Sequence, residues 1–169
     1  VEDHSGATLE QSVAEPRQVV SRETSYLLTN MLEDVIQRGT GQLAKSVDRP
    51  VAGKTGTTND YTDAWFMGFT PNLVVGVWVG FDDIRTLGEK ESGAHAALPI
   101  WTEFMHQALA QLPVMPFEIP DEIQFVRVDP ATGLLLPDQG GQGMVEIFAK
   151  GTEPTQTAPQ RADPADFYQ

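Results

Sequence analysis

An α+β fold, antiparallel strands packed by helices, follows from three features of the sequence. Two stretches, residues 22 to 38 and Pro99 to Leu112, carry apolar residues at the three- and four-residue spacing of a helix face. Between them lie three consecutive runs with strand character: Gly53-Lys54-Thr55-Gly56-Thr57, then Ala64 to Thr70, then Leu73 to Phe81. After Pro113 the character changes to short apolar runs separated by turn residues, which predicts an irregular β-containing extension over 113–151 and a disordered tail over 152–169. The helix-and-sheet unit is expected to occupy residues 1–112.

Taken in order, residues 1 to 20 alternate loosely around the turn signal Ser5-Gly6 and break at Pro16, a weak hairpin followed by an extended piece at Gln18-Val19-Val20. Ser21 is placed as a helix N-cap, with Glu23 in the first turn where the helix dipole favours an anion. Leu27, Leu28, Met31, Leu32, Val35 and Ile36 form the apolar stripe of that helix, and Gly39 stops it. A polar connector leads to the Lys54 strand. Thr58-Asn59-Asp60 then turns the chain, and Pro71-Asn72 joins the next two strands as a tight hairpin. Gly68, Gly76 and Gly80 thin these strands where a neighbour packs closely.

Residues 82 to 96 are acidic and glycine-bearing, a surface loop. Pro99 suits the first turn of the second helix, whose stripe is Ile100, Trp101, Phe104, Met105, Ala108, Leu109 and Leu112. This stripe covers one face of the sheet, since burying a large apolar side chain contributes roughly 1.5 to 3 kcal/mol. Ile123 to Val128 and Val145 to Ala149 read as short strands, with Asp129-Pro130-Ala131-Thr132-Gly133 as a turn.

Bulk properties exclude several functions. The 169 residues carry a formal charge of -13 with a pI near 4.4, unsuited to nucleic acid or to anionic lipid. There is no cysteine, and His4, His95 and His106 make no ligand motif, so neither a metal nor another cofactor is expected. Val1-Glu2-Asp3 is acidic with no apolar segment after it, so no signal peptide is legible. The longest apolar run, Leu73 to Phe81, is too short to span a bilayer.

The chemistry concentrates at Lys54. An ammonium and two hydroxyls fall within four residues, and strand alternation puts Thr55 and Thr57 on one face with Lys54 on the other. Gly53 and Gly56 leave the backbone open to close approach. Such a set suits an anion, whether a carboxylate or a developing oxyanion. A nucleotide-binding P-loop would need glycine at position 48, where Asp48 stands, and a helix starting at the lysine, which Gly56, Asn59 and Asp60 oppose.

Lys54-Thr55-Gly56 matches instead one of three signatures of penicillin-interacting serine enzymes, alongside Ser-x-x-Lys and Ser-x-Asn. The surrounding text extends the match: Ala52 to Pro71, then Val77-Trp78-Val79-Gly80-Phe81-Asp82-Asp83, Ala97-Leu98-Pro99-Ile100-Trp101, and Arg38-Gly39-Thr40-Gly41 upstream. From Pro16 to about Gly151 the chain resembles the C-terminal part of the transpeptidase domain of class A, bifunctional penicillin-binding proteins of the Gram-negative 1A type. The resemblance implies part of a serine β-lactamase-like fold. It implies that Lys54 shapes the electrostatics of the cleft and attracts the substrate carboxylate, that the Thr55 and Thr57 hydroxyls bind that carboxylate, that the Thr57 N–H is an oxyanion donor, and that Gly56 lets the acyl group approach.

By the same resemblance the partners are peptidoglycan stem peptides and β-lactams, and the parent protein works at the periplasmic face of the inner membrane, with a glycosyltransferase domain and a membrane anchor upstream. Departures matter too. None of Ser5, Ser12, Ser21, Ser25, Ser46 and Ser92 has lysine three residues on or asparagine two residues on. The nucleophile, its lysine base and the Ser-x-Asn element are missing from these residues, so the chain is expected to be the end of a longer protein and inactive alone, completed by an upstream part of the same protein. Taken alone, its strands and helices are expected to leave an unpaired sheet edge and an uncovered apolar face. The alternative is a non-catalytic interaction module. Asp60 and Asp63 are expected to cap or pair, Trp65 and Trp78 to pack in a core, and His95, Arg85 and Lys90 to be solvated.

Overall fold

The computed structural model describes residues 1, 3–11, 17–136 and 143–159. Helix α1 spans Arg22–Gln37, and Ser21 caps it as expected, its Oγ accepting the Thr24 N–H at 3.3 Å. The stripe is less buried than its spacing predicts. Ile36 is the residue of α1 that is fully enclosed, whereas Leu28 and Met31 are more than half exposed, because among the described residues α1 packs on one side only, against Ala52–Thr57, Gln42–Val47 and Met144–Ala149.

The connector after α1 is not irregular. Gln42–Val47 forms a 3-10 turn that buries Ala44 and Val47 in the core, and Asp48 ends it in the left-handed region at φ 55°. Polar spacing hid this element, since only two of its six side chains face inward. Arg49 then donates to the Leu109 and Leu112 carbonyls at 3.2 and 3.4 Å, tying the connector to the chain that follows the second helix.

Strands β1 (Ala52–Thr57), β2 (Asp63–Thr70) and β3 (Leu73–Gly80) form an antiparallel sheet in that order. Thr70 pairs with Leu73, so Pro71-Asn72 is a two-residue hairpin loop. One sheet face carries Ala64, Phe66, Gly68 and Thr70 of β2, all buried, with Leu73, Val75, Val77 and Val79 of β3 packed against the core. Against it lies α2 (Leu98–Ala108), which buries Leu98, Trp101, Thr102 and Met105, with Leu109 enclosed just after it. Trp101 donates its indole N–H to the Val75 carbonyl at 3.0 Å and meets Phe66 edge-on at 5.0 Å between centroids. A Cβ on Gly68 would lie 2.7 Å from the Trp101 ring, so glycine there is what lets the helix approach the sheet.

The α2 stripe is narrower than expected. Ile100 and Phe104 are half exposed, because they point away from the sheet face that Trp101 and Met105 cover. Among the described residues most of the opposite sheet face is open: Trp65, Met67, Val74 and Trp78 are each 45% exposed or more, while Phe69 meets Phe117 edge-on. Trp65 and Trp78 are therefore not core residues as expected; they pair directly across β2 and β3 with ring centroids 6.3 Å apart and pack on each other.

At the chain start, Ser5-Gly6 does turn the chain, with Gly6 at φ 83° and the Asp3 carboxylate accepting the Ser5 and Ala7 N–H groups. Leu9 N–H reaches the Val1 carbonyl at 2.8 Å, but the described part of the hairpin holds no strand, and neither does Gln18-Val19-Val20. In the C-terminal extension β4 (Ile123–Val128) and β5 (Met144–Ala149) pair antiparallel. Asp129 organises the intervening turn, its carboxylate accepting the Ala131 and Thr132 N–H groups at 2.8 and 3.0 Å. The expected tail is partly ordered: Leu135 N–H donates to the Gln156 carbonyl and Ala158 N–H to the Leu135 carbonyl, and Ala158 is buried. Backbone pairing there needs no apolar periodicity, which is why composition missed it. Residues 160–169 lie outside the described residues.

Candidate active site

Strand β1 is an outer strand of the sheet, paired on one side with β2 in a register that sets Lys54 opposite Met67, Thr55 opposite Phe66, Gly56 opposite Trp65 and Thr57 opposite Ala64. Alternation puts Thr55 and Thr57 on the face shared with Phe66 and Lys54 on the other. The strand continues through Thr57 and no helix begins at Lys54, which is incompatible with a P-loop. Lys54 is exposed and donates from Nζ to the Thr55 carbonyl at 2.9 Å.

Each threonine is held from outside its own strand. Thr55 Oγ1 lies 2.7 Å from Thr40 Oγ1, so the segment after α1 is tied to the motif. Thr57 Oγ1 accepts the Gly93 N–H at 3.0 Å. Gly93 begins a π-helical turn, Gly93–Ala97, that runs straight into α2. The acidic loop reading therefore fails over its last residues: Gly93 is buried, and it seats the start of α2 against β1 and β2. His95 sits on this turn, where it is exposed as expected. Its Nδ1 contacts the Lys90 carbonyl at 2.8 Å, and since a carbonyl only accepts, Nδ1 carries the proton.

Hydroxyls also organise the β1–β2 connection. Thr58 Oγ1 accepts from the Thr62 and Asp63 backbone N–H groups at 3.0 and 2.9 Å. Asp63 takes the Trp78 indole N–H on Oδ1 at 2.9 Å and the Thr62 hydroxyl on Oδ2 at 2.8 Å. These bonds, the one from Trp78 foremost and then that from Thr62, hold its carboxyl below the ordinary 3.8. Both oxygens are thus engaged in bracing the hairpin, and Asp60 stands exposed in the turn. Arg85 is not simply solvated: its guanidinium stacks over the Phe81 ring at 3.8 Å.

A cavity of about 410 Å³ lies elsewhere, between Val19, Val20, Tyr26 and Thr29 on one side and Phe117 and Pro120 on the other, and no residue of the Lys54 motif lines it. Beside it, burial first and the Glu33 charge second raise the Tyr26 phenol. Among the described residues no His, Asp or Glu side chains gather in the threes a metal ion needs, and no helix is long and apolar enough to cross a membrane. Thr58 falls in the turn that the sequence predicts, Thr40 carries no signal beyond its place in the Arg38-Gly39-Thr40-Gly41 run, and Gly93 carries none.

Residues 2–106 match the family described as "Penicillin binding protein transpeptidase domain". A protein named Penicillin-binding protein 1A from Aquifex aeolicus is 43% identical over 152 residues, 90% of this chain and 21% of that protein. Its counterpart in Pseudomonas aeruginosa is 46% identical over 127 residues, 75% of this chain and 15% of that one. The crystal structure of Penicillin-Binding Protein 1A from Haemophilus influenzae is similar with a TM-score of 0.77 at 38% identity, covering 83% of this chain and 22% of that chain. The chain spans about a fifth of the length of the relatives it matches. Its helices and antiparallel sheet are those of part of that domain, and the chain belongs to the penicillin-binding protein transpeptidase family.

Proposed function

We propose that the chain supplies the carboxylate- and oxyanion-binding wall of a peptidoglycan D,D-transpeptidase cleft whose nucleophile lies outside these residues. The observation that carries this reading is the outer strand β1, where two hydroxyls, Thr55 and Thr57, share one face within a family match that spans residues 2–106. Both would hydrogen-bond the terminal carboxylate of a D-alanyl stem peptide or of a β-lactam. Lys54 contributes positive potential in a chain of formal charge -13, where an unaided anion is otherwise repelled.

The Thr57 N–H serves as one of the oxyanion donors, a contribution that typically amounts to about 2.7 to 4 kcal/mol in the transition state. Gly56, without a side chain, leaves room for the acyl group beside it. In the reaction a serine oxygen bonds to the penultimate D-alanine carbonyl carbon and the amide bond to the terminal D-alanine breaks. That D-alanine leaves with a proton, and the amine of a second stem peptide displaces the serine. β-Lactams acylate the same serine. The setting is the periplasmic face of the inner membrane, with the anchor and the glycosyltransferase outside this chain.

The test is covalent labelling by a fluorescent penicillin. The 169-residue chain alone stays unlabelled, and co-expression with a segment of the same protein bearing Ser-x-x-Lys and Ser-x-Asn gives a labelled band on that segment. Labelling of this polypeptide itself would overturn the reading. Association without any labelling would favour a non-catalytic module.

A further inference from the structure

Thr57 and Gly93 are joined in a way that the Lys-Thr-Gly motif does not account for. Gly93 is buried and lies 36 positions along the chain from Thr57, yet its N–H donates to Thr57 Oγ1 at 3.0 Å. The fit around it is close. A Cβ at Gly93 would lie 2.2 Å from the Trp65 carbonyl oxygen, 2.6 Å from the Gly56 oxygen and 3.1 Å from the Gly56 nitrogen. The Gly56 oxygen belongs to the same peptide group as the Thr57 N–H, so Gly93 backs the very peptide whose N–H is proposed above as an oxyanion donor.

We infer that Gly93 is a positioning residue that makes the Thr57 hydroxyl an outward hydrogen-bond donor, so that the site selects ligands presenting a carboxylate over ligands presenting a neutral ester. This rests on the carboxylate-binding role proposed for Thr57. A hydroxyl has one proton and two acceptor lone pairs. With the Gly93 N–H occupying an acceptor position, the hydroxyl proton turns away from Gly93 and toward the exposed side, where Thr57 meets solvent. A carboxylate receives that proton well, whereas an ester offers only a weaker, neutral acceptor. The same contact holds the Thr57 side chain in one orientation before a ligand arrives, which lowers the ordering cost of binding.

The experiment uses the complete transpeptidase carrying this chain and compares acylation rates for a penicillin and for its methyl ester. Gly93→Ala would clash with the Trp65 and Gly56 carbonyls and serves only as a folding control. The informative change replaces Gly93 by glycolic acid, turning the amide into an ester that lacks the N–H and adds no Cβ. Expected is a loss of about tenfold in the penicillin rate, the size typical of a hydrogen bond to a charged group, with less than about twofold change for the methyl ester. Thr57→Val narrows the preference similarly, and Thr57→Ser retains it within about threefold because it keeps the acceptor oxygen.

Equal slowing of both compounds by the glycolic acid substitution would make Gly93 a purely structural contact and overturn the inference. A preference lost in Thr57→Val but unchanged by glycolic acid would overturn the role of Gly93 while leaving Thr57 as the carboxylate ligand. A preference unchanged in Thr57→Val would remove the carboxylate role of Thr57 itself.

Discussion

Replacing Phe66 by alanine tests how the core supports the candidate site. Phe66 is fully buried, stands directly opposite Thr55 in the sheet, and meets the Trp101 ring edge-on at 5.0 Å. Gly53 and Gly68 close around it so tightly that a Cβ on either would come within 2.8 Å of its ring. A site walled this way, by backbone on one side and an enclosed indole on the other, has little freedom to collapse. The full cost of Phe→Ala in a core therefore applies, about 3 to 5 kcal/mol. Phe66→Leu keeps most of the apolar volume and loses the ring–ring contact, at about 1 to 2 kcal/mol. For a chain of this size each kcal/mol moves the melting temperature by about 2 to 4 °C, so Phe66→Ala lowers it by roughly 6 to 20 °C. Urea titration followed by tryptophan fluorescence gives the same comparison as a shift in midpoint at constant slope. A cost below about 1 kcal/mol for Phe66→Ala, or equal costs for the two variants, would refute the closed packing assigned to this position.

Three further outcomes are expected. Ser21→Ala removes the oxygen that accepts the Thr24 N–H and lowers stability by about 1 kcal/mol, whereas Ser21→Asp retains most of it; urea midpoints distinguish the two. Burial, and secondarily the Asp34 charge, raises the Glu33 carboxyl above its ordinary 4.5, so its ionisation opposes folding; Glu33→Gln stabilises the chain at neutral pH, and the gain fades as pH falls through the raised value and is gone below 4.5. The Asp63 carboxyl is held below 3.8 by its bonds from Trp78 and Thr62, so its stabilisation is present above 3.8 and lost as pH falls through the lowered value. Asp63→Asn consequently destabilises at neutral pH, and the difference from the unaltered chain closes on acidification; a gap that persisted at the acid end would contradict this assignment.

Much of the fold was legible because its signals are local. The Ser21 cap, the stripe of α1, the two-residue loop at Pro71-Asn72 and the limits of β4 each depend on residues within a few positions of one another. What escaped depends on partners distant in sequence. Trp65 and Trp78 have core-like composition, yet whether a tryptophan is covered depends on what lies over that sheet face, and among the described residues the face is open. Gln42–Val47 reads as polar because only Ala44 and Val47 turn inward.

By itself, then, the sequence determined the class of fold, the three-strand meander and the family to which the Lys54-Thr55-Gly56-Thr57 stretch belongs. Period-two alternation put the two hydroxyls on one face without any coordinates. Only the tertiary structure decided what holds those hydroxyls. Thr40 meets Thr55, Gly93 meets Thr57, and Asp63 is committed to Trp78 and Thr62 rather than to chemistry. The physical reason is that a hydroxyl's direction is set by whichever donor or acceptor the folded chain brings within about 3 Å, and a glycine such as Gly93 carries no side-chain signal announcing that its bare backbone is the part that makes contact.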